Sequence, residues 1–419
     1  MTTVSRIIGL ILISLLIALT SCSSDDNDMV LLPEPSNTMT SSELTTYFES
    51  LIHAENIPGF AVTIVKNDAI TFQNGFGFAD IQNQKLYTNE THNGIASLSK
   101  TFVGAATAKA IEQGYFTLDT PINEVLPVNI VNLQRPEAII LVRHLVTHTS
   151  GILDNPENYT IGNYTVLPNQ DVSGTGADIL LNGIGLEISN PIPLIDYLAE
   201  YFMEDGFFYG DSNYLDITPG TTWTYSNVAT ALMGFVIEST VNQSFDEYVK
   251  ENIFAPLQMS SSTYDVVEVD FDRMAIPYID NNRPLPFYGN HGYPEGSVHT
   301  TNQDLGKYLL DMTRGIKGQS STLFAPTYYK LLFTEQLPDG IVPNAFAENH
   351  GLYWYTKNGK WMHGGNSLGI SSQMEIAEDG SYGFVITSNI DGTFFENEGK
   401  WETVKEKIEN GIQAFLASN

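Results

Sequence analysis

Apolar residues recur with a period near 3.6 in some stretches of this chain and near 2 in others, and that alternation predicts an order of elements. Leu44, Tyr47, Phe48, Leu51 and Ile52 fall on one helical face, and Thr40-Ser41-Ser42-Glu43 ahead of them has the form of a capping box, so a helix starts near Thr40. After Pro58-Gly59 the period shortens. Residues 60–65 and 70–72 are β-rich runs around Lys66-Asn67-Asp68, a hairpin signal, and Gly75-Phe76-Gly77-Phe78 prolongs the strand pattern. Residues 97 to about 113 read as a second helix closed by Gly114, which suits a left-handed cap. Residues 228–240 are apolar on nearly every face, the mark of a buried helix, and Ser244-Phe245-Asp246-Glu247 caps the next one.

The last third returns to strands. Residues 352–356 and 360–363 surround Asn358-Gly359, the strongest short hairpin signal, and 374–376 pairs with 384–387 across Asp379-Gly380. A final helix covers residues from about 400 to 416. Strands at both ends with helices between them predict an α+β fold: an antiparallel sheet built from both termini and flanked by helices, with an inserted, mainly helical domain. Residues 41–95 and 285–419 then form the α/β part, and 96–284 the helical part. Residues 155–215 break the pattern, being rich in Asn, Gly, Tyr and Asp. An irregular stretch of that length is usually functional or disordered, so it is expected to border a substrate site.

The N-terminus changes the picture. Arg6 precedes an apolar run over 7–19, which is shorter than the roughly twenty residues that span a bilayer. It reads as a cleaved secretion signal, residues 1–21. Cys22 follows directly and is the one cysteine in 419 residues, so no disulfide partner exists for it. Residues 22–40, rich in Ser, Asp, Asn and Pro, read as a flexible tether, and 41–419 is long enough for one large domain. Forty-nine acidic against nineteen basic residues give a formal charge of −30. That charge argues against nucleic acid and anionic lipid as partners, and reads as a solvated, repulsive surface.

Three short motifs carry chemistry. Ser97-Leu98-Ser99-Lys100 opens the second helix, where residues three apart share a face. A serine hydroxyl is a poor nucleophile until a neighbour takes its proton, and a lysine whose pKa is lowered can do so. The helix N-terminus adds a backbone NH and a favourable dipole for a developing oxyanion. Tyr225-Ser226-Asn227 sits between a Pro219-Gly220 turn and the buried helix, where a phenol can relay a proton and an amide can hold a carbonyl. His363-Gly364-Gly365 lies on a strand, and its glycines let a substrate backbone approach. Taken singly, each has an ordinary alternative: a helix cap with a solvated lysine, a core tyrosine beside an Asn cap, a bend with a surface histidine.

In this order, about 130 and then 140 residues apart, the motifs resemble the class C β-lactamase and D-alanyl-D-alanine carboxypeptidase group of penicillin-recognising serine hydrolases, which includes esterases and D-amino-acid peptidases. Arg143-His144-Leu145-Val146-Thr147-His148-Thr149-Ser150-Gly151 and the stretch from Glu295-Gly296-Ser297 to Leu305 look like further signatures of that group. The resemblance implies a β-lactamase/transpeptidase-like fold and a two-step acyl transfer without metal or organic cofactor. Ser97 would be acylated, Lys100 and Tyr225 would handle protons, and Asn227, His363, Gly364 and Gly365 would position a small peptide, ester or β-lactam. The NH groups of Ser97 and Asn366 would form the oxyanion hole. A histidine opens the third motif where most true β-lactamases carry lysine, which favours peptidase or esterase chemistry. Cys22 after Leu19-Thr20-Ser21 resembles a lipobox. That likeness implies an exported lipoprotein in the outer membrane, on its periplasmic face or at the cell surface, with the lipid as its only membrane contact. A cell-wall-binding lipoprotein without turnover is the alternative from another class.

Two further patterns have ordinary readings. Gly365-Asn366-Ser367-Leu368-Gly369 matches the nucleophile elbow G-x-S-x-G, but every histidine precedes Ser367, and that triad needs one after it. His144 and His148 are four apart, yet no H-E-x-x-H accompanies them, and packing or capping is the expected role.

Overall fold

Eight strands from the two ends of the chain form one antiparallel sheet. In the computed structural model, residues 35–392 and 400–418 are described; the signal and Cys22 lie outside them. One end supplies β1 (Gly59–Lys66), β2 (Ala69–Asp80) and β3 (Lys85–Leu86). The other supplies β4 (Asn349–His350), β5 (Tyr355–Thr356), β6 (Lys360–Ser367), β7 (Ile370–Ala377) and β8 (Tyr382–Ser388). The order is β4-β5-β6-β7-β8-β1-β2-β3, so the halves meet where β1 pairs with β8, Val62 opposite Ile386. Turn chemistry sets the register. Asn67 and Asp68, and again Asn358 and Gly359, take positive φ at both central positions, the twist a two-residue hairpin requires.

Five long helices cover the sheet: α1 (Ser41–Glu55), α2 (Lys100–Glu112), α3 (Asn227–Val241), α4 (Asn302–Ile316) and α5 (Lys400–Ser418). The Thr40 capping box is formed as the sequence predicts. On one face, Leu44, Phe48 and Leu51 of α1 meet Trp401, Val404 and Ile408 of α5 over Phe60, Val62 and Ile64. On the other, Leu305, Leu309 and Met312 of α4 pack with Phe102 of α2, Leu232 and Val236 of α3, and the sheet residues Met374 and Val385. The α3 helix is buried from Val228 to Ile237, because no face of it offers polar side chains to water.

Residues 96–284 hold more than helices. Tyr164–Val166 pairs in parallel with Glu187–Ile188 and antiparallel with Tyr288–Asn290, so a small separate sheet braces this region. The stretch 155–215 folds into short pieces of helix, strand and turn.

One local expectation is corrected. Ser97 is not the first residue of an α-helix but lies in a 3-10 turn, Ala96–Ser99, and α2 begins at Lys100. The cause is Ala96, whose φ of 46° reverses the chain, so that the Leu98 NH bonds back to the Ile95 carbonyl at 3.2 Å. A positive φ on a residue with a Cβ is strained and persists only where its surroundings hold it.

The packing of α2 generates a test. A Cβ on Gly104 would sit 2.4 Å from the Leu352 carbonyl oxygen, a backbone atom that has no rotamer to yield. Gly104→Val is expected to destabilise the protein by about 2 kcal/mol or more through overpacking, read as a lowered urea midpoint. An unchanged midpoint would mean that α2 is free to move off the sheet.

Candidate active site

Ser97 and Lys100 face each other because in a 3-10 turn positions i and i+3 eclipse. Lys100 Nζ lies 3.1 Å from Ser97 Oγ. The lysine side chain has no exposure at all, and its ammonium also donates to Asn227 Oδ1 at 2.6 Å, to the Glu295 carbonyl at 2.7 Å and to Glu295 Oε2 at 3.1 Å. Burial pushes the Lys100 amine down, but Tyr225 and the Glu295 carboxylate push it up by more, and the net is a raised pKa. Nζ stands 5.0 Å from the centre of the Tyr225 ring. Burial raises that phenol, against the pull of Lys100 and of hydrogen bonds to Ser97 and Lys100. At neutral pH the site therefore holds an ammonium and a neutral phenol beside the Ser97 hydroxyl.

The third motif lies on β6, directly against the Ser97 turn. A Cβ on Gly365 would sit 2.3 Å from the Ile95 carbonyl oxygen and 2.8 Å from the Leu98 nitrogen. The room that glycine leaves is thus filled by the protein's own turn rather than by a substrate, contrary to the sequence expectation for that residue. Ser372 of β7 fixes the same junction by donating to the Ile95 carbonyl at 2.7 Å. Gly364 lies beside the Tyr355 hydroxyl, and the Asn366 NH, two residues on, points to the same side of the strand as the Gly364 NH. His363 is buried, with Nδ1 2.6 Å from the Gly364 carbonyl and Nε2 unpartnered among the described residues. Burial first, then the Lys100 charge, lowers its pKa to about 3, so it is a neutral imidazole. Beyond it Tyr355, Phe346 and Trp223 stack in succession, centroids 4.9 and 4.6 Å apart, as an aromatic wall beside Tyr225.

A hydroxyl, an amine and a phenol from distant parts of the chain thus share one cleft, beside a glycine-bearing strand edge. The profile of the Beta-lactamase family matches residues 44–407. The chain belongs to that family. Protein flp of Staphylococcus aureus (strain MW2) is 24% identical over 360 residues, which is 84% of this chain and 64% of that protein; the chain therefore spans less than two thirds of that relative. The octameric penicillin-binding protein homologue from Pyrococcus abyssi superposes with a TM-score of 0.66 at 22% identity, covering 91% of this chain and 78% of its own. EstCE1, a hydrolase with promiscuous acyltransferase activity, gives 0.65 at 16% identity over 89% of this chain and 98% of its own. These likenesses establish the β-lactamase/transpeptidase-like α+β fold.

Two acidic residues of this Beta-lactamase-family site had no role assigned from the sequence, although Glu295 stands in one of the signature stretches. Asp154 accepts from the Asn227 NH and Nδ2, each at 2.9 Å, from the Val228 NH at 2.9 Å and from Ser226 Oγ at 3.2 Å. It satisfies the first NH groups of buried α3 and turns the Asn227 amide so that Oδ1 faces Lys100. A buried helix N-terminus demands such an acceptor, which is the only signal the sequence held for it. Glu295 is 4% exposed in its side chain. Its Oε1 accepts from Tyr159 Oη at 2.8 Å, Asn163 Nδ2 at 3.0 Å and Asn290 Nδ2 at 3.3 Å. Tyr159 and Asn163 come from the irregular 155–215 segment, which therefore joins the buried polar network around Lys100.

The residues of the alternative patterns are engaged elsewhere. Ser367 is buried and hydrogen-bonded to Tyr288 at 2.9 Å. His144 Nδ1 accepts from the Leu141 NH and His148 Nδ1 from the Ser226 NH.

Asp154 supplies a pH test. Burial raises its carboxyl to about 6, against the hydrogen bonds from Val228 and Asn227. A raised carboxyl favours the folded state while protonated, so its contribution is complete below the unfolded value near 4 and is lost as pH rises through about 6. Stability relative to Asp154→Asn is expected to fall between those limits, by roughly 3 kcal/mol at most. Paired urea titrations across that window measure it, and a flat difference would show the carboxyl ionising normally.

Proposed function

We propose that this member of the Beta-lactamase family is a serine hydrolase that works through a covalent acyl-enzyme on Ser97. Its substrate is a small amide or ester, as for a D-alanyl-D-alanine carboxypeptidase-like peptidase or an esterase. The observation that carries the reading is the 3.1 Å approach of Ser97 Oγ to a wholly buried lysine. Burying an ammonium is expensive unless it is paired and used.

Ser97 Oγ attacks the carbonyl carbon as its proton passes to Lys100 or Tyr225, whichever has first given up a proton of its own. The carbonyl oxygen, now anionic, accepts from the NH groups of Ser97 and Asn366. The tetrahedral adduct expels a leaving group that takes up a proton, and water then releases the acyl group by the same steps. Asn227 holds Lys100, and the His363 strand lies along the substrate. Because His363 is neutral, the third motif offers no charge to pair with a substrate carboxylate, which a β-lactam and a D-alanyl peptide both carry, and this favours uncharged esters and amides. Export as a lipoprotein anchored through Cys22 belongs to the same reading. Cys22→Ser, which should release the protein from the membrane fraction, tests it.

A fluorophosphonate probe should label the native protein and leave Ser97→Ala unlabelled. Tyr225→Phe and Lys100→Ala should slow labelling by about 100- to 10,000-fold, the range for a lost acid–base group. Chromogenic esters should be turned over with higher kcat/KM than nitrocefin, and D-Ala-D-Ala peptides test the peptidase form of the reading. A native protein that takes no label and turns over nothing is a binding lipoprotein instead.

A further inference from the structure

Glu295 is the charged group in the cleft that the steps above leave unused. Its Oε2 lies 3.1 Å from Lys100 Nζ, and Ser97 Oγ lies 3.1 Å from the same nitrogen, so one amine bridges hydroxyl and carboxylate. Oε1 is held by Tyr159, Asn163 and Asn290, which fixes the carboxylate and leaves Oε2 to the lysine. We propose that Glu295 is the positioning residue of a Ser97–Lys100–Glu295 relay, in which Lys100 takes the Ser97 proton only as it yields one of its own to Glu295 Oε2. The proposal rests on the serine hydrolase reading above.

An ammonium has three donors and no lone pair, so it cannot act as a base until it loses a proton. Lys100 is held above the ordinary lysine value and Tyr225 above the ordinary phenol, so neither is a free base in the resting site. Other titratable groups face Lys100: Asp154, whose carboxyl sits near 6, and His148 and His363, both held neutral by burial. Around Glu295 stand Tyr159, Tyr164, Tyr197 and Tyr288, all pushed upward by burial and therefore neutral. Glu295 is the carboxylate in direct contact with Nζ, which makes it the acceptor the geometry offers.

The atoms balance. The Oγ–C bond forms as the Oγ–H bond breaks; that proton joins Nζ while another Nζ proton moves to Oε2, and the carbonyl π pair becomes the oxyanion. On collapse the C–X bond breaks, X takes a proton from Nζ, and Glu295 returns its proton to Nζ. Water repeats the cycle in place of Ser97.

The test is the pH profile of fluorophosphonate labelling for the native protein, Glu295→Gln and Tyr159→Phe, with thermal melts to verify folding. In Glu295→Gln only a deprotonated Lys100 can take the proton, so labelling near neutrality should slow by about 100-fold and the acid limb should become the titration of that amine, which has lost the upward push of the carboxylate. Tyr159→Phe keeps the carboxylate but removes one of its three donors, and a carboxylate with fewer donors is the better proton acceptor, so the limb should rise by a smaller amount. That variant leaves the ion pair in place and carries the test if Glu295→Gln does not fold. Acid limbs that superimpose on the native one overturn the relay while leaving the hydrolase reading intact. A native protein without label overturns both.

Discussion

A lysine ammonium with no exposure to water is the constraint around which the cleft is organised. Charges are rarely buried unless paired, because desolvation penalises them by several kcal/mol each even after relaxation. Lys100 meets that penalty with one charged partner, Glu295 Oε2, with the Tyr225 ring beside it, and with the acceptors Asn227 Oδ1 and the Glu295 carbonyl. Each partner is itself anchored: Asn227 by Asp154, and Glu295 by Tyr159, Asn163 and Asn290. The polar network therefore extends from α2 through the start of α3 to the 155–215 segment. Satisfied networks of this kind define one arrangement of the elements that contribute to them.

The sheet performs the complementary task. β6 lies directly against the Ser97 turn, and Gly365 allows it by leaving room for the Ile95 carbonyl and Leu98 nitrogen. Ser372 clamps the same carbonyl from β7. The strained Ala96 is held by these contacts, so the backbone around Ser97 is set by tertiary packing rather than by helix propensity. Position along the chain is a poor guide to this geometry, since β6 and the turn are brought together only once the two ends of the chain have closed into one sheet.

What the sequence revealed follows from which forces are local. The hairpins at Asn67-Asp68 and Asn358-Gly359, the Thr40 box and the apolar α3 helix are fixed by a few adjacent residues, and their patterns were legible. Ser97, Lys100, Tyr225 and His363 were legible for another reason: short motifs in a known order carried a family resemblance. The 3-10 turn was not, because Ala96 takes a positive φ that no local preference predicts. The roles of Asp154 and Glu295 were hidden, even with Glu295 inside a signature stretch, because a carboxylate on a loop looks solvated until the partners that surround it are known. For Glu295 those partners lie up to 195 residues away.

That blind spot bears on how the site works. Replacing a buried ion pair with apolar side chains of similar volume is often neutral or stabilising, so a pair such as Lys100–Glu295 is weak evidence of a need for stability. A protein that needed only to hold α2 against the cleft could do so with leucine and methionine. A carboxylate kept dry, fixed through one oxygen by three donors and presented through the other to an amine 3.1 Å from a serine hydroxyl has a geometry that packing alone does not require. In a low-dielectric cleft such an arrangement lowers the reorganisation needed when a proton moves. The same burial that makes the pair costly to maintain is what makes proton transfer along it effective.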